Sequence, residues 1–474
     1  MYYAMKDDFQ LLCWEKRLTG IIFSRETGAM QKVEYEDFRL LVLSDGLTDF
    51  TGLLGQKKIA HLEKFVDNGI LTKSEYPICV RDDWFQLYNN RCVTTVHWSI
   101  TGRCNYRCRH CMMDAPSGRL GEADTTDMLS LIDEMADAGI RYIDITGGEP
   151  LLRKDFLLLV DKLTSRGIKI ISIATNGSLI NQSMFDCLKK NKQQPKFFIS
   201  FDGIEGWHNW MRGVNDAEQS FRFAVELCKQ NRVPVTATLC LHKGNHNLLS
   251  STIRMLKQCG VDKLEIGGIT HSPRWNKYSE GNQMTDLEYL DACLEYIDEY
   301  YAEGCPIRLS IGGLASFEEK TGRYEYKGIE NSMNKTLSDY VCNDLRTSCY
   351  ITPDLRLLPC IGMTESNAVF EYPTIKECGG FGQALDHPLY LRTTTTTICD
   401  FLEHNTECDA CDYRVACHGG CRACAMAEND GDFWAKASWN CMLWKNGYPK
   451  RISERLQAVY DKYKKNTYSE TKPT

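Results

Sequence analysis

The chain has 474 residues, a net charge of −7, 43% hydrophobic residues and 25% charged residues, which is typical of a globular protein. This length predicts about three domains, and the acidic balance argues against a nucleic-acid surface, which needs a basic stripe. No apolar run approaches the ~18 residues that cross a bilayer, and the first residues carry acids where a secretory signal carries bases. We therefore predict a cytoplasmic protein with no nucleic-acid and no membrane partner.

Residues 1–90 are predicted to form a small separate domain. Two short strands, "GIIFS" and "MQKVEY", flank the turn "RETG", and the segments "YEDFRLLVLSDG" and "KKIAHLEKFVDNGIL" have the apolar spacing of helices. This order suits a winged-helix-like fold, for which DNA binding is the usual expectation. The domain carries 11 basic and 14 acidic residues, however, so a peptide laid along an exposed strand edge is the better interpretation.

Residues 91–310 are predicted to form an α/β domain, because apolar strands alternate with helices. Six strand segments with intervening helices predict a parallel sheet, and a curled sheet of this kind is a partial (β/α)6 barrel. Such folds place their chemistry in the loops after the strands. The polar motifs "CNYRC", "TGGEP", "ATNG", "SFDG" and "IGG" all lie there. One more helix is predicted over residues 285–302.

Residues 311–474 form the predicted third domain, in which Cys, Gly, Pro and Thr replace the regular periodicity. Seven of the 23 cysteines lie within residues 399–441, and such density in a cytosolic chain indicates metal or redox chemistry. The run "TTTTT" at 393–397 is predicted to be an extended loop. The isolated cysteines are predicted to be small buried hydrophobes, namely Cys13, Cys79, Cys187, Cys228, Cys240, Cys259, Cys293 and Cys305.

The segment "CNYRCRHC" places Cys104, Cys108 and Cys111 in a C-x3-C-x2-C spacing. Zinc sites and iron–sulfur clusters usually take four protein ligands, so three thiolates leave one iron of a cube free for a small molecule. The segment resembles the radical SAM signature, C-x3-C-x-aromatic-C, with His110 in the aromatic position near the adenine. That resemblance implies a [4Fe–4S] cluster that binds S-adenosylmethionine (SAM) and cleaves it to a 5′-deoxyadenosyl radical. A chance cysteine cluster or a partial zinc site is the alternative.

The next predicted strand ends in a motif that resembles the family's "GGEP", which holds the SAM amino group: Gly147, Gly148, Glu149 and Pro150. Glycines allow close backbone approach to a ligand, and a carboxylate accepts hydrogen bonds from an ammonium group. The same resemblance implies ribose or substrate contacts for Ser200 and Asp202, a SAM carboxylate contact for Arg212, and a place on the same rim for Asn176. A structural cap or turn role is the alternative for these four residues.

The C-terminal segment "CDACDYRVACHGGC" resembles the SPASM domain, which carries two auxiliary [4Fe–4S] clusters; Leu355 stands where that pattern has a glycine. The resemblance implies a first cluster on Cys342, Cys349, Cys360 and Cys421. It implies a second cluster on Cys408, Cys411, Cys417 and Cys441. Three extra cysteines leave the assignment of Cys342 open, since any of them could replace it: Cys378, Cys399 or Cys424. Two structural zinc sites are the alternative.

The three regions together resemble maturases of ribosomally synthesised peptides, of the sactipeptide and ranthipeptide type. The resemblance implies that residues 1–90 bind the leader of a precursor peptide and that the enzyme forms a thioether between a cysteine sulfur and a carbon. It also implies three [4Fe–4S] clusters, SAM, and an electron donor such as flavodoxin or ferredoxin. Carbon–carbon crosslinking and epimerisation are the close alternatives, and a non-catalytic leader-binding or redox adaptor is the more distant one. No general base or hydrogen donor is evident.

Overall fold

The computed structural model describes residues 1–17, 19–269, 272–312, 315–318, 323–325, 334–342 and 347–463. The N-terminal region contains a four-stranded sheet in the order β4-β3-β2-β6 and a separate pair, β1 with β5. Its elements are β1 (Tyr2–Met5), β2 (Phe9–Trp14), β3 (Thr19–Ser24), β4 (Met30–Val33), α1 (Tyr35–Val42), α2 (Gln56–Asp67), β5 (Leu71–Ser74) and β6 (Phe85–Tyr88). The two predicted strands and two predicted helices are confirmed, whereas the winged-helix assignment stays a prediction.

The central region alternates strands and helices. Its elements are β7 (Thr95–Ser99), α3 (Thr125–Asp137), β8 (Tyr142–Thr146), α4 (Phe156–Ser165), β9 (Lys169–Thr175), α5 (Gln182–Lys190), β10 (Lys196–Ser200), α6 (Trp207–Arg212), α7 (Ala217–Gln230), β11 (Val235–Cys240), α8 (Leu249–Cys259), β12 (Lys263–Gly267), α9 (Pro273–Tyr278), α10 (Asp286–Ala302), β13 (Arg308–Ile311), β14 (Ala315–Glu318) and β15 (Arg323–Glu325). The predicted helix over 285–302 is α10, which Thr285 and Glu288 begin with a capping box.

The six predicted strands are β7 to β12, and each pairs in parallel with the next, so the predicted parallel sheet is confirmed. The structure adds β13 in parallel beside β12 and β16 (Ser348–Ile351) in parallel beside β7. Three antiparallel strands, β14, β15 and β17 (Leu357–Leu358), complete an eleven-stranded sheet. Its strand order is linear, and the outermost strands in the described part of the chain are β15 and β17, so the sheet is open.

The C-terminal region is built of short helices followed by the 16-residue helix Tyr448–Tyr463. The short helices are Phe381–Ala384, Pro388–Thr395, Ile398–His404, Thr406–Asp409, Arg414–Cys417, Arg422–Glu428 and Ser438–Lys445. The prediction of an extended loop over 393–397 was wrong, because a helix continues to Thr395. Thr394 and Thr395 donate hydroxyl hydrogen bonds to the carbonyls of Tyr390 and Leu391, at 3.1 and 2.8 Å. Such bonds to the preceding turn make threonine compatible with a helix.

Two predictions about single residues need comment. Leu355, in the position where a glycine was expected, has a φ of 63°. It therefore adopts the left-handed conformation that glycine normally supplies, at a cost of about 1 kcal/mol. The prediction that Cys79 is buried was wrong, because its side chain is exposed in the loop between β5 and β6.

The N-terminal region packs against the amino ends of the central strands. The Trp14 indole donates a hydrogen bond of 3.3 Å to the carbonyl of Ala138, which precedes β8, and stacks on Tyr88 at 5.0 Å. Arg141, also just before β8, donates to the Tyr88 hydroxyl. The Lys169 side chain, at the start of β9, lies against Gly28. The opposite, carboxyl ends of the strands are therefore left open to other elements.

In the part of the chain that the structure describes, we find no helix that is both long and apolar enough to span a bilayer.

Candidate active site

The loop after β7 presents the three cysteines of "CNYRCRHC" together, and each sulfur accepts at least one hydrogen bond; Cys104 accepts a further one from the side-chain amide of Asn176 at 3.9 Å. Cys104 accepts from the N–H of Tyr106 at 3.4 Å, and Cys111 from the N–H of Ala115 at 3.4 Å. Arg212 donates to the Cys108 sulfur at 3.7 Å. Burial and the two neighbouring thiols raise the pKa of Cys104 to about 12, so metal binding here must displace protons. Three closely spaced sulfurs with N–H donors fit an iron–sulfur cluster.

The two glycines of "GGEP" are required by packing against this loop. A Cβ at Gly148 would lie 2.0 Å from the Arg103 carbonyl oxygen, and one at Gly147 would lie 2.6 Å from that of Thr101. Gly147 also has a φ of +143°, which other residues rarely adopt. The glycines therefore let the end of β8 contact the cysteine loop backbone to backbone.

Glu149 is fully buried, and its carboxylate is held by protein groups. It accepts hydrogen bonds from the Thr175 hydroxyl at 2.8 Å, the Asn176 N–H at 2.8 Å and the Leu151 N–H at 3.1 Å. Burial raises the pKa of Glu149 to about 7 despite these bonds. The carboxylate thus ties the end of β8 to the end of β9, a role that the sequence did not reveal; its contact with SAM stays a prediction.

Asp202 and Arg212 form a buried ion pair beside the cysteine loop. Arg212 donates from Nε and Nη2 to the two carboxylate oxygens at 2.7 and 3.1 Å, and its Nη1 faces Cys108. Burial alone would raise the pKa of Asp202, but the Arg212 guanidinium and His208 outweigh it and hold that pKa far below its usual range. The fork of Arg212 is therefore oriented, with one nitrogen directed at the cysteine loop.

His110 lies in the same polar group. Ligand atoms of His110, Asp202 and Cys240 all lie within 4.8 Å of one another, and the buried Nδ1 of His110 has no hydrogen-bond partner. Burial, followed by the Arg212 charge, lowers the pKa of His110 to about 4, so the ring is neutral. An unpaired buried nitrogen indicates a polar ligand atom at this place. Cys240 is thus part of this group and not only a core side chain.

The remaining predicted residues are near the same edge of the sheet. Asn176 is buried and donates to Asn105 of the cysteine loop at 2.9 Å, while its N–H binds Glu149. Ser200 ends β10 and is half-buried, and Pro150, itself buried, begins a 3-10 turn. The structure therefore brings every predicted SAM-contact residue to the carboxyl ends of β7 to β10.

Three residues at this edge were missed by sequence reasoning. Arg274 of α9 donates to the carbonyl of Cys108 at 2.7 Å and so clamps the cysteine loop from the far side. Asn245 donates to the carbonyls of Asp202 and Cys240 at 2.8 and 2.9 Å. His208 accepts the Asp202 N–H at 3.1 Å. No short sequence motif identifies these three residues, because their hydrogen-bond partners lie either far away in the sequence or in a neighbouring turn.

A cavity of about 400 Å³ opens beside this group, at the carboxyl ends of β11, β12 and β13. Leu241 lines it directly after Cys240, and Trp275 in its wall lies 6.1 Å, ring to ring, from His242. The opposite wall comes from the C-terminal region. Among the described residues, no Lys or Arg lines the cavity. The aromatic and acidic side chains that line the whole cavity include Tyr289, Trp439, Asp286, Glu365 and Glu428.

The C-terminal cysteines form two groups. All four of the predicted second set line one small cavity of about 30 Å³: Cys408, Cys411, Cys417 and Cys441. Of the predicted first set, Cys342 and Cys421 lie near enough to Cys360 to contribute, after burial, to the raised pKa of its thiol. Cys349 is not with them, because its side chain is fully buried in the core of the central sheet.

Of the three extra cysteines, Cys424 contacts Cys421. Cys378 packs on the central core, and the sulfur of the exposed Cys399 lies 3.8 Å from a carboxylate oxygen of Glu403. The structure therefore gathers three of the four cysteines predicted for the first set and brings one extra cysteine to them.

Comparison with known proteins agrees with this geometry. Residues 98–256, from β7 into α8, match the Radical SAM superfamily. This region is a radical SAM domain. Such a domain implies SAM and one [4Fe–4S] cluster, and the loop of Cys104, Cys108 and Cys111 fits that cluster on the contacts above.

The chain is similar to the PqqA peptide cyclase of Granulibacter bethesdensis, with 23% identity over 330 residues, which is 69% of this chain and 82% of that protein. Streptococcus suis SuiB bound to its precursor peptide SuiA has a TM-score of 0.64 at 14% identity, covering 93% of this chain and 100% of that one. anSMEcpe with bound AdoMet and the Cp18Cys peptide has a TM-score of 0.54 at 17% identity, covering 78% and 99%. The two structural likenesses show a shared fold around the radical SAM domain.

Proposed function

We propose that this chain is a radical SAM maturase that joins a cysteine sulfur to a carbon atom within a ribosomally made precursor peptide. The observation that carries the proposal is the cavity of about 400 Å³, which adjoins the Cys240–Asp202 group on one side and the cysteine-rich region on the other. A peptide side chain seated there would lie between the radical site and the auxiliary sites. The likeness to PqqA peptide cyclase and to SuiB bound to SuiA supports a peptide as substrate.

When bound, SAM and its cluster supply one-electron chemistry that removes a hydrogen atom from an unreactive carbon. The chain's own residues shape the site at which this chemistry would take place. Asp202 orients the Arg212 fork, whose Nη1, directed at Cys108, suits the SAM carboxylate. The backbone of Gly147 and Gly148 lies against the cysteine loop without a side chain between them. Trp275 and Leu241 give the cavity an apolar wall that excludes water from a reactive carbon.

Thioether formation breaks one C–H and one S–H bond and forms one C–S bond, so two hydrogens leave the peptide. One leaves as the abstracted hydrogen atom, and the other leaves as a proton and an electron. We propose that the C-terminal cysteines would hold two auxiliary [4Fe–4S] clusters, which would supply an acceptor for that electron, with a carrier such as flavodoxin or ferredoxin as its final destination. The four cysteines around one small cavity support the second of these clusters.

The bond type is tested by mass spectrometry of the encoded precursor after anaerobic incubation with the enzyme, SAM and a reductant. We expect a product lighter by two hydrogen atoms in which one cysteine no longer reacts with iodoacetamide. The same mass loss with every cysteine still alkylated would indicate a carbon–carbon crosslink instead. A peptide mass that is unchanged in ordinary water but increased by deuterium uptake in heavy water would indicate epimerisation. No change in the peptide in either solvent would favour a non-catalytic adaptor.

We propose that the N-terminal region binds the precursor leader along β4. β4 is an edge strand of the four-stranded sheet in the described chain, and its central residues Gln31 and Lys32 are exposed. Tyr35, two residues after the end of this strand, is 56% exposed. An open strand edge beside an exposed aromatic side chain suits a peptide that adds a strand. Holding the leader raises the effective concentration of the core peptide at the cavity.

Proline substitution on β4 tests this role. Neighbouring residues of a strand direct their backbone N–H groups to opposite sides, so either Gln31 or Lys32 directs its N–H outward. At that position proline should leave the fold intact and weaken leader binding about tenfold, because it removes a donor from the open edge. The measurement is fluorescence anisotropy of a labelled leader peptide from the encoded precursor.

The matched control is Gln86→Pro on β6, the opposite edge strand, which should leave leader affinity unchanged. Cleavage of SAM without peptide should also be unchanged in all three variants. Leader affinity equal to that of the unmodified protein in both folded β4 variants would contradict the proposal.

A further inference from the structure

We propose that Cys424, and not Cys349, is the fourth ligand of the first auxiliary [4Fe–4S] cluster. The other three ligands are those that the sequence resemblance implies, namely Cys342, Cys360 and Cys421. The inference rests on the proposed auxiliary clusters and is independent of which bond the enzyme forms.

Cys349 points to the wrong face of the sheet. Side chains alternate along a strand, so Cys349 and its neighbour Tyr350 in β16 face opposite sides. The Tyr350 hydroxyl bonds Ser99 at 2.6 Å, and its ring packs in the same cluster as Leu358 and the Cys360 side chain. Cys349 packs instead in the central core with Tyr390. For the Cys349 side chain to reach Cys360, β16 would have to shift its register by one residue. That shift would move the apolar side chains that now face the core to the opposite face of the sheet.

Cys424 lies on the side of Cys360 and Cys421. Its thiol is in hydrogen-bonding contact with the Cys421 sulfur, one turn earlier at the start of helix Arg422–Glu428. That helix packs on the turn after Cys360, where a Cβ at Gly362 would lie 3.0 Å from the Ala423 Cβ and 3.9 Å from the Cys360 sulfur. Two sulfurs spaced C-x2-C at a helix start can therefore face Cys360 together.

This ligand set also places the cluster beside the substrate cavity. Cys424 lines the cavity of about 400 Å³, together with Glu365 from the turn after Cys360. An iron held by Cys424 would lie at the cavity wall, where an electron leaving a bound peptide has the shortest route to it. With Cys349 as ligand, the cluster would lie toward the central core and away from that wall.

Iron content and electron paramagnetic resonance test the assignment without any peptide. In a Cys104/Cys108/Cys111→Ala background, the reconstituted chain should hold about eight irons, four in each auxiliary cube. Adding Cys424→Ala should either reduce this to about four irons or leave a cube whose reduced spectrum has changed. Adding Cys349→Ala should leave both the iron content and the spectrum unchanged.

Cys349→Val is the second variant at that position, because it fills the core without a sulfur if alanine destabilises the fold. Cys424→Ala with eight irons and an unaltered spectrum would overturn the inference. Loss of about four irons in both folded Cys349 variants would overturn it as well. Neither readout requires peptide modification, so a wrong proposal for the crosslink leaves the ligand result standing.

Discussion

Replacing Cys104, Cys108 and Cys111 with alanine is expected to abolish production of 5′-deoxyadenosine while about eight of about twelve irons remain bound. The three sulfurs form a group of their own in the loop after β7, each with at least one N–H donor, and the C-terminal cysteines are separate from it. Loss of this group should therefore remove one cube and leave the other two. Iron analysis and chromatography of SAM products measure the two effects.

The matched control is Cys228→Ala, which removes a fully buried barrel cysteine in α7. It should retain about twelve irons and full cleavage of SAM, at a stability cost of about 1 kcal/mol for the lost packing. Zinc in place of iron in the unmodified protein would contradict the whole cluster assignment. Undiminished 5′-deoxyadenosine in the triple variant would contradict the SAM site.

Asp202→Ala is expected to lower the free energy of unfolding by about 3–5 kcal/mol and to eliminate measurable SAM binding. The substitution leaves the Arg212 guanidinium buried without its partner, and it removes the two bonds that orient Arg212 Nη1 toward Cys108. Denaturant unfolding under anaerobic conditions gives the first quantity, and calorimetric titration with SAM gives the second.

Two controls separate stability from binding in this experiment. Glu218→Ala breaks the exposed i,i+4 pair with Arg222 and should cost well under about 1 kcal/mol. The double variant Asp202→Leu with Arg212→Met replaces the buried charges by apolar side chains. It should regain most of the lost stability and still fail to bind SAM. SAM affinity restored in the double variant would refute the role of Arg212 in holding the ligand.

The sequence predicted the central sheet well because its strands are apolar segments of five to seven residues with a helix between each pair. It missed β13 and β16, which have four residues each, too few for periodicity to be decisive. β16 also pairs with β7 across some 250 residues, and no local pattern encodes such a partner.

The site shows the same division. Motif spacing located "CNYRCRHC" and "GGEP", because local backbone geometry sets their function. Spacing could not predict that Cys349 faces the core while Cys424 faces Cys421. The alternation of side chains along β16 determines the first orientation, and the packing of the helix Arg422–Glu428 determines the second. Nor could it find Arg274, whose bond to the Cys108 carbonyl joins residues 166 positions apart.

The docking of the N-terminal region at the amino ends of the strands has a consequence for the peptide. A leader bound on β4 and a core residue bound in the cavity would lie at opposite ends of the sheet. A five-residue strand such as β8 is about 17 Å long, and an extended chain covers at most ~3.5 Å per residue. At least about five extended precursor residues are therefore needed to span the length of the strands alone. The enzyme would therefore act as a ruler, selecting the modified position by its distance from the leader.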